Sequence, residues 1–195
     1  MQYDSSEELY FSWYLEELRE NRVITDWHYH PKPFILSDRI VHVYDKILKT
    51  KTVSKDSVII NDHQYQADFL IHWNPEWIGK IFLNLNQKCN VKDAIFVAQG
   101  KTNFSVIDVK GTFIGPHNTS AITFPLNMKW VYQKYHIYVQ KIIPVQLFAE
   151  TFIPKAYQFT DNTGKPRKIK FKKVLIKEYL ESIRSDLLIN PKLST

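Results

Sequence analysis

Cysteine is almost absent from this 195-residue chain: Cys89 is the only one. A single thiol excludes an internal disulfide framework and a cysteine-based zinc site, and a reducing compartment is its simplest setting. Glycine is scarce too, at 5 residues, and neither GxxxxGK[ST] nor GxGxxG occurs, so a glycine-rich phosphate loop is excluded. No apolar run approaches the ~20 residues that span a bilayer, and no membrane association is expected. Residues 1–8 are acidic and lack an apolar h-region, so no signal peptide is expected. Repeats and low-complexity segments are absent as well.

What is present suits one globular domain. The hydrophobic fraction is 44%, enough for a sizeable core, and aromatics reach 14%. Net charge is +6, a moderate basic excess that fits a partner carrying phosphates.

Two strand-like runs stand out. In residues 104–111, Asp108 and Lys110 are two apart and share a strand face, while Ile107 and Val109 point into a core. Gly111 ends the run. Upstream, residues 65–73 form one predicted strand with a lone carboxylate, Asp68. Tyr65, Ala67, Phe69 and Ile71 are expected on one face, Asp68 and Leu70 on the other. Burying Asp68 is costly without a cation or hydrogen bonds. For Asp108 and Lys110 alone, a surface ion pair is an equal alternative.

The remaining elements frame these two. Ser5-x-x-Glu8 has capping-box spacing and opens a helix that ends near Asn21, with Phe11, Leu15 and Leu18 on an apolar side. Periodicity favours Glu8 as a capping carboxylate, which also suits the helix dipole. Residues 23–29 and 34–36 read as strands around His30-Pro31-Lys32-Pro33. His28 and His30 share a face, but without a third ligand they read as ordinary edge histidines. Residues 39–48 and 57–60 are further strands, joined by a basic, polar loop. Residues 81–97 read as an insertion at the sheet edge, and Asp93 in it receives no role. After a loop at 115–120, a helix is predicted over 124–135 with Met128, Val131, Tyr132 and Tyr135 as its stripe. A strand over 136–143 follows, and strand, helix, strand in that order implies a parallel crossover. After a turn at 161–166 comes a predicted basic strand, in which Arg167, Lys168, Lys170, Lys172 and Lys173 alternate with Ile169, Phe171 and Val174. The last element is a helix over 175–188 with Leu180, Ile183 and Leu187 inward.

Phosphodiester hydrolysis needs charge neutralised on the non-bridging oxygens and an activated water, which Mg²⁺ or Mn²⁺ supplies. Such ions take oxygen ligands, often one or two carboxylates plus waters. Asp68 and Asp108 are the candidate carboxylates, the Val109 carbonyl a further oxygen, and Glu8 a carboxylate from the first helix. Lys110 is placed to neutralise the phosphate or position the attacking water.

The ordered set of Ser5-x-x-Glu8, Ala67-Asp68-Phe69, Asp108-Val109-Lys110-Gly111 and a lysine-bearing helix with Lys129-Trp130 resembles the PD-(D/E)XK nuclease superfamily. More narrowly, it is similar to phage-type and Holliday-junction-resolvase-like endonucleases. The resemblance covers about residues 5–144. It implies an α/β fold with a restriction-endonuclease-like αβββαβ core and a mixed central sheet over residues 1–150. An insertion between Asp68 and Asp108 decorates this core, and a basic C-terminal appendage (151–195, strand plus helix) packs on it. It implies Mg²⁺- or Mn²⁺-dependent DNA cleavage, with Asp68, Asp108, Lys110 and Glu8 catalytic and Asp68, Asp108, Val109 and Glu8 as metal ligands. Lys129, Arg167, Lys168, Lys170, Lys172 and Lys173 would contact nucleic acid. Ala67 stands where the superfamily name has proline, Asp108 where glutamate is more frequent, and Glu7 adjoins Glu8. The expected partners are DNA and either a second copy or proteins of a DNA-processing complex. The expected compartment is the cytoplasm of a bacterium or phage-infected host cell. The alternative is a non-catalytic nucleic-acid-binding or assembly protein that keeps this fold.

Overall fold

The structure is a computed structural model that describes residues 2–81, 98–111, 120–159 and 164–189. Helix α1 (Ser6–Glu20) is capped by Ser5, whose hydroxyl accepts the Glu8 N–H at 3.2 Å, and closed by Asn21. Six strands follow: β1 (Ile24–Tyr29), β2 (Phe34–Ser37), β3 (Ile40–Ile47), β4 (Thr52–Ile60), β5 (His63–Tyr65) and β6 (Phe69–Trp73). Then come β7 (Phe104–Val109), α2 (Ser120–Tyr135), β8 (Val139–Ile142), α3 (Pro144–Glu150) and α4 (Ile176–Ile189). The molecule is mixed α/β. Its main sheet has the order β1-β6-β7-β8, in which β1, β6 and β7 are antiparallel neighbours and β8 runs parallel to β7. With β2 to β5 set aside, the elements read helix, three strands, helix, strand, and the expected crossover β7–α2–β8 is present.

Each face of the sheet buries its own apolar cluster. On one face, Phe11, Tyr14, Leu15 and Leu18 of α1 meet Phe69, Ile71, Ile107, Val109 and Ile142. Leu147, Phe148, Phe152, Ile176, Leu180 and Ile183 complete this cluster, so the C-terminal residues share the core of α1. Ring contacts fix it: Tyr14 stacks on Phe152 at 4.2 Å, and Phe11 meets Phe69 edge-on at 5.2 Å. On the other face, Leu36, Tyr65, Ala67, Val106, Val131 and Val139 pack with Phe124 and Met128 of α2.

Several expectations need correction. Residues 65–73 are not one strand. The chain leaves β5, which pairs with β2, and enters β6 in the main sheet. Changing sheets at residues 66–68 resets the side-chain alternation, so Tyr65 and Ala67 join one cluster and Phe69 and Ile71 the other. The basic strand at 167–174 is absent: apart from an isolated bridge between Phe159 and Pro166, this backbone joins no ladder. Its alternation survives without a sheet, with Ile169, Phe171 and Val174 packed on the core and Lys168, Lys170, Lys172 and Lys173 exposed. α2 begins four residues earlier than expected, and Pro125 lies inside it, at its sixth residue, where it has no amide hydrogen to give the helix ladder. Tyr132 of the expected stripe is exposed, and Val131 is the fully buried position. His136 takes a left-handed conformation (φ 55°) after α2, so β8 starts only at Val139. Pro144 then opens α3, a helix the sequence reading lacks. The core of the expected insertion with Asp93, the loop at 115–119 and part of the turn at 161–166 lie outside the described residues.

β3 and β4 form a hairpin of their own. Their residues are exposed except Val53, and the hairpin is a separate two-stranded sheet. The basic connection expected between the strands is shorter than predicted, because β4 already begins at Thr52. Among the described residues, no helix is long and apolar enough to cross a membrane.

Candidate active site

Register places the two aspartates. Phe69 of β6 pairs with Ile107 of β7, which brings Asp68, the residue before β6, next to the end of β7 that carries Asp108. Asp68 lies at the bend just before β6: its N–H donates to Ile107 O at 3.0 Å, and its carbonyl accepts the His30 N–H at 2.8 Å. Within β7, alternation puts Asp108 on the face of Val106. That face packs against α2 and the β2–β5 pair. Ile107 and Val109 point into the α1 core, as the alternation predicts.

Asp108 is buried, with 3% of its surface exposed. The Tyr65 hydroxyl donates to its Oδ2, and Oδ1 meets the Lys110 ammonium. A surface ion pair is therefore not what forms: the carboxylate is inside, and only the lysine reaches solvent. Lys110 Nζ also lies 5.7 Å from the centre of the Phe124 ring, so α2 roofs this end of β7. Burial, and then the charge of Asp108, push the Tyr65 phenol far above its ordinary value, which keeps it a donor.

The Asp68 carboxyl is pushed up to about 7. Burial is the leading cause and the charge of Asp108 the second, opposed by the Val109 N–H and by Lys110. The Val109 N–H donates to Asp68 Oδ2 at 2.6 Å, so Val109 engages the site through its amide. Two carboxyls with hard oxygen donors, pressed together until one resists ionisation, are a donor set suited to a divalent cation, which would relieve that repulsion.

Glu8 is buried and deeply committed. Its Oε1 accepts the Ser5 hydroxyl at 2.8 Å, and its Oε2 accepts the Tyr29 hydroxyl at 2.5 Å and the Asp4 N–H at 3.1 Å. The capping role read from periodicity is thus present, and Tyr29 is added to it. Glu8 still contributes to the field at Asp68. Its nearest ligand-type neighbours are Asp4 and His30: one ligand atom from each of the three lies within 4.8 Å of the others. That grouping was not legible from the histidines alone. Glu7 is half-buried and faces Gly111, where an added Cβ would meet its Oε1 at 3.4 Å.

The expected nucleic-acid contacts divide. Lys129 is exposed on α2, and Lys168, Lys170, Lys172 and Lys173 are exposed along the tail. Arg167 is held between two rings, 4.8 Å from Tyr10 and 4.5 Å from Tyr157, and donates to Tyr157 O at 3.1 Å. It fastens the tail to α1. Tyr65 is the site residue that sequence reasoning missed. The available signal was a hydroxyl-bearing ring three residues before Asp68, but strand alternation assigned it to the wrong face.

No protein-family model, no curated protein and no solved structure matches the chain.

Proposed function

We propose that the chain is a Mg²⁺- or Mn²⁺-dependent DNA endonuclease with a PD-(D/E)XK-like core. The observation that carries this reading is the closeness of Asp68 and Asp108, whose charges act on each other, with Lys110 on Asp108 and the Asp68 carboxyl held by the Val109 amide and pushed up to about 7. The order helix, three strands, helix, parallel strand supports it, because this is the αβββαβ order the resemblance implies.

Asp68 and Asp108 would hold the cation, which supplies charge neutralisation of the phosphate and lowers the pKa of a coordinated water. Tyr65 fixes one oxygen of Asp108, and the Val109 amide fixes one oxygen of Asp68. Lys110, partly solvated at the mouth, neutralises the non-bridging oxygen or orients the attacking water. Water oxygen bonds to phosphorus as the bond to the sugar oxygen breaks, leaving a phosphate and a hydroxyl end. Glu8 belongs to the wall of the site, with its lone pairs engaged by Ser5, Tyr29 and Asp4.

The test is cleavage of supercoiled plasmid and of a synthetic four-way junction in Mg²⁺, Mn²⁺ or EDTA, with wild type beside Lys110→Ala. Metal-dependent nicking lost in Lys110→Ala is expected. DNA binding with no cleavage in any metal would leave the non-catalytic binder.

A further inference from the structure

We infer that the β3–β4 hairpin is an arm that grips duplex DNA through one of its two faces. The inference rests on DNA being the partner, and it assigns a contact surface beyond the candidate active site.

Register sorts the hairpin by chemistry. His42 pairs with Ser57, Tyr44 with Lys55 and Lys46 with Val53, so these residues share one face. That face carries two lysines and two stacked rings, His42 on Tyr44 with centroids 6.0 Å apart, and it has no carboxylate. Lys49 and Lys51 stand at the tip. The opposite face takes Val43 with Asp56 and Asp45 with Ser54, so both carboxylates of the strands lie there. All four lysines are exposed, and none forms an ion pair among the described residues. A face of unneutralised cations with flat rings between them is complementary to phosphates and sugars.

Shape agrees with charge. A two-stranded hairpin is marginal in water without a packed face, and this one has its own sheet apart from the rest of the fold. A major groove about 12 Å wide admits a two-stranded ribbon. Strands of this length reach roughly 27 Å at ~3.4 Å per residue, most of a turn of duplex. The root of the arm is close to the site: Ile60 ends β4, and Tyr65, which bonds Asp108, is five residues on, so at most about 17 Å of chain separates them.

The test replaces Lys46, Lys49, Lys51 and Lys55 together by alanine in the full chain. Binding to a 30-base-pair duplex is followed in EDTA by fluorescence anisotropy across a salt series, beside a control in which Asp45 and Asp56 become asparagine. The lysine variant should bind roughly tenfold or more weakly at moderate salt. Its plot of log affinity against log salt should be shallower by about 0.9 for each phosphate that the lysines no longer neutralise. The asparagine control should bind at least as well as wild type. Affinity and slope equal to wild type in the lysine variant would overturn the arm, and sedimentation of a Val43→Ser/Ile47→Ser variant would then show whether the hairpin joins two copies instead. Plasmid nicking measured in parallel separates the two readings. An active wild type with an unchanged lysine variant removes the arm alone, whereas an inactive wild type with lysine-dependent binding keeps the arm and removes the nuclease.

Discussion

The backbone N–H of Val109 holds the carboxyl of Asp68 at 2.6 Å, so the strand that carries one aspartate also orients the other. A carboxyl pushed up to about 7 by burial and by Asp108 binds its proton more tightly folded than unfolded, where 3.8 is usual. Its contribution to stability is therefore complete below 3.8 and is lost as pH rises through about 7. In chelator, the melting temperature should fall across that window, and the fall should shrink in Asp68→Asn. Added Mg²⁺ should oppose it by binding the ionised form. A wild-type profile unaffected by Asp68→Asn would refute the assignment.

Lys110→Met leaves Asp108 buried without its cation and with only the Tyr65 hydroxyl to hold it. The expected loss is about 2–4 kcal/mol, toward the low end for a broken buried pair because the lysine is partly solvated. Asp108→Asn/Lys110→Met should recover most of that stability in denaturant melts without recovering cleavage. A double variant as unstable as the single would mean the pair is not what the lysine serves.

Tyr65→Phe removes the donor to Asp108 Oδ2 and keeps the ring in its cluster. Leaving that oxygen unsatisfied should cost about 1–3 kcal/mol. Cleavage should fall and demand more Mg²⁺ for half-maximal rate. If the metal titration is unchanged, the tyrosine is only packing.

Glu8→Gln separates cap from catalysis. Loss of the carboxylate should destabilise α1 by about 1 kcal/mol, as cap substitutions do. Because its oxygens already serve Ser5, Tyr29 and Asp4, the metal dependence of cleavage should stay close to wild type. A shift of more than tenfold in the Mg²⁺ requirement would move Glu8 into the ligand set.

Arg167→Ala should behave unlike its lysine neighbours. Removing the guanidinium from between two rings should lower stability by about 1–2 kcal/mol and leave the salt dependence of DNA binding unchanged. Alanine at Lys168, Lys170, Lys172 and Lys173 should do the reverse, with little effect on melting and a shallower salt slope.

How much of this was legible before the structure depends on how local the cause is. The α1 cap is written in four consecutive residues, and the fold keeps it. The shared face of Asp108 and Lys110 needs only a strand period of two, and it also holds. The meeting of Asp68 with Asp108 brings distant segments together, which no local pattern states. Tyr65 failed for a related reason: alternation carries across a segment only if the segment stays in one sheet, and residues 66–68 change sheets. The tail alternates as a strand would, yet alternation records which side faces the core, and a ladder also needs an edge to join. The grouping of Asp4 and Glu8 with His30 joins the start of α1 to the end of β1, and nothing in either segment announces it.

The short pair β2–β5 has a consequence for the architecture of the whole chain. Phe34 pairs with Tyr65 and Ser37 with His63, so the excursion that carries the hairpin leaves and returns through adjacent doors. A segment whose ends are clamped side by side can be lengthened, shortened or exchanged without moving the strands beneath it. The chain is thus built as a fixed chassis with an interchangeable tool, and the tool is mounted within a few residues of the tyrosine that touches Asp108.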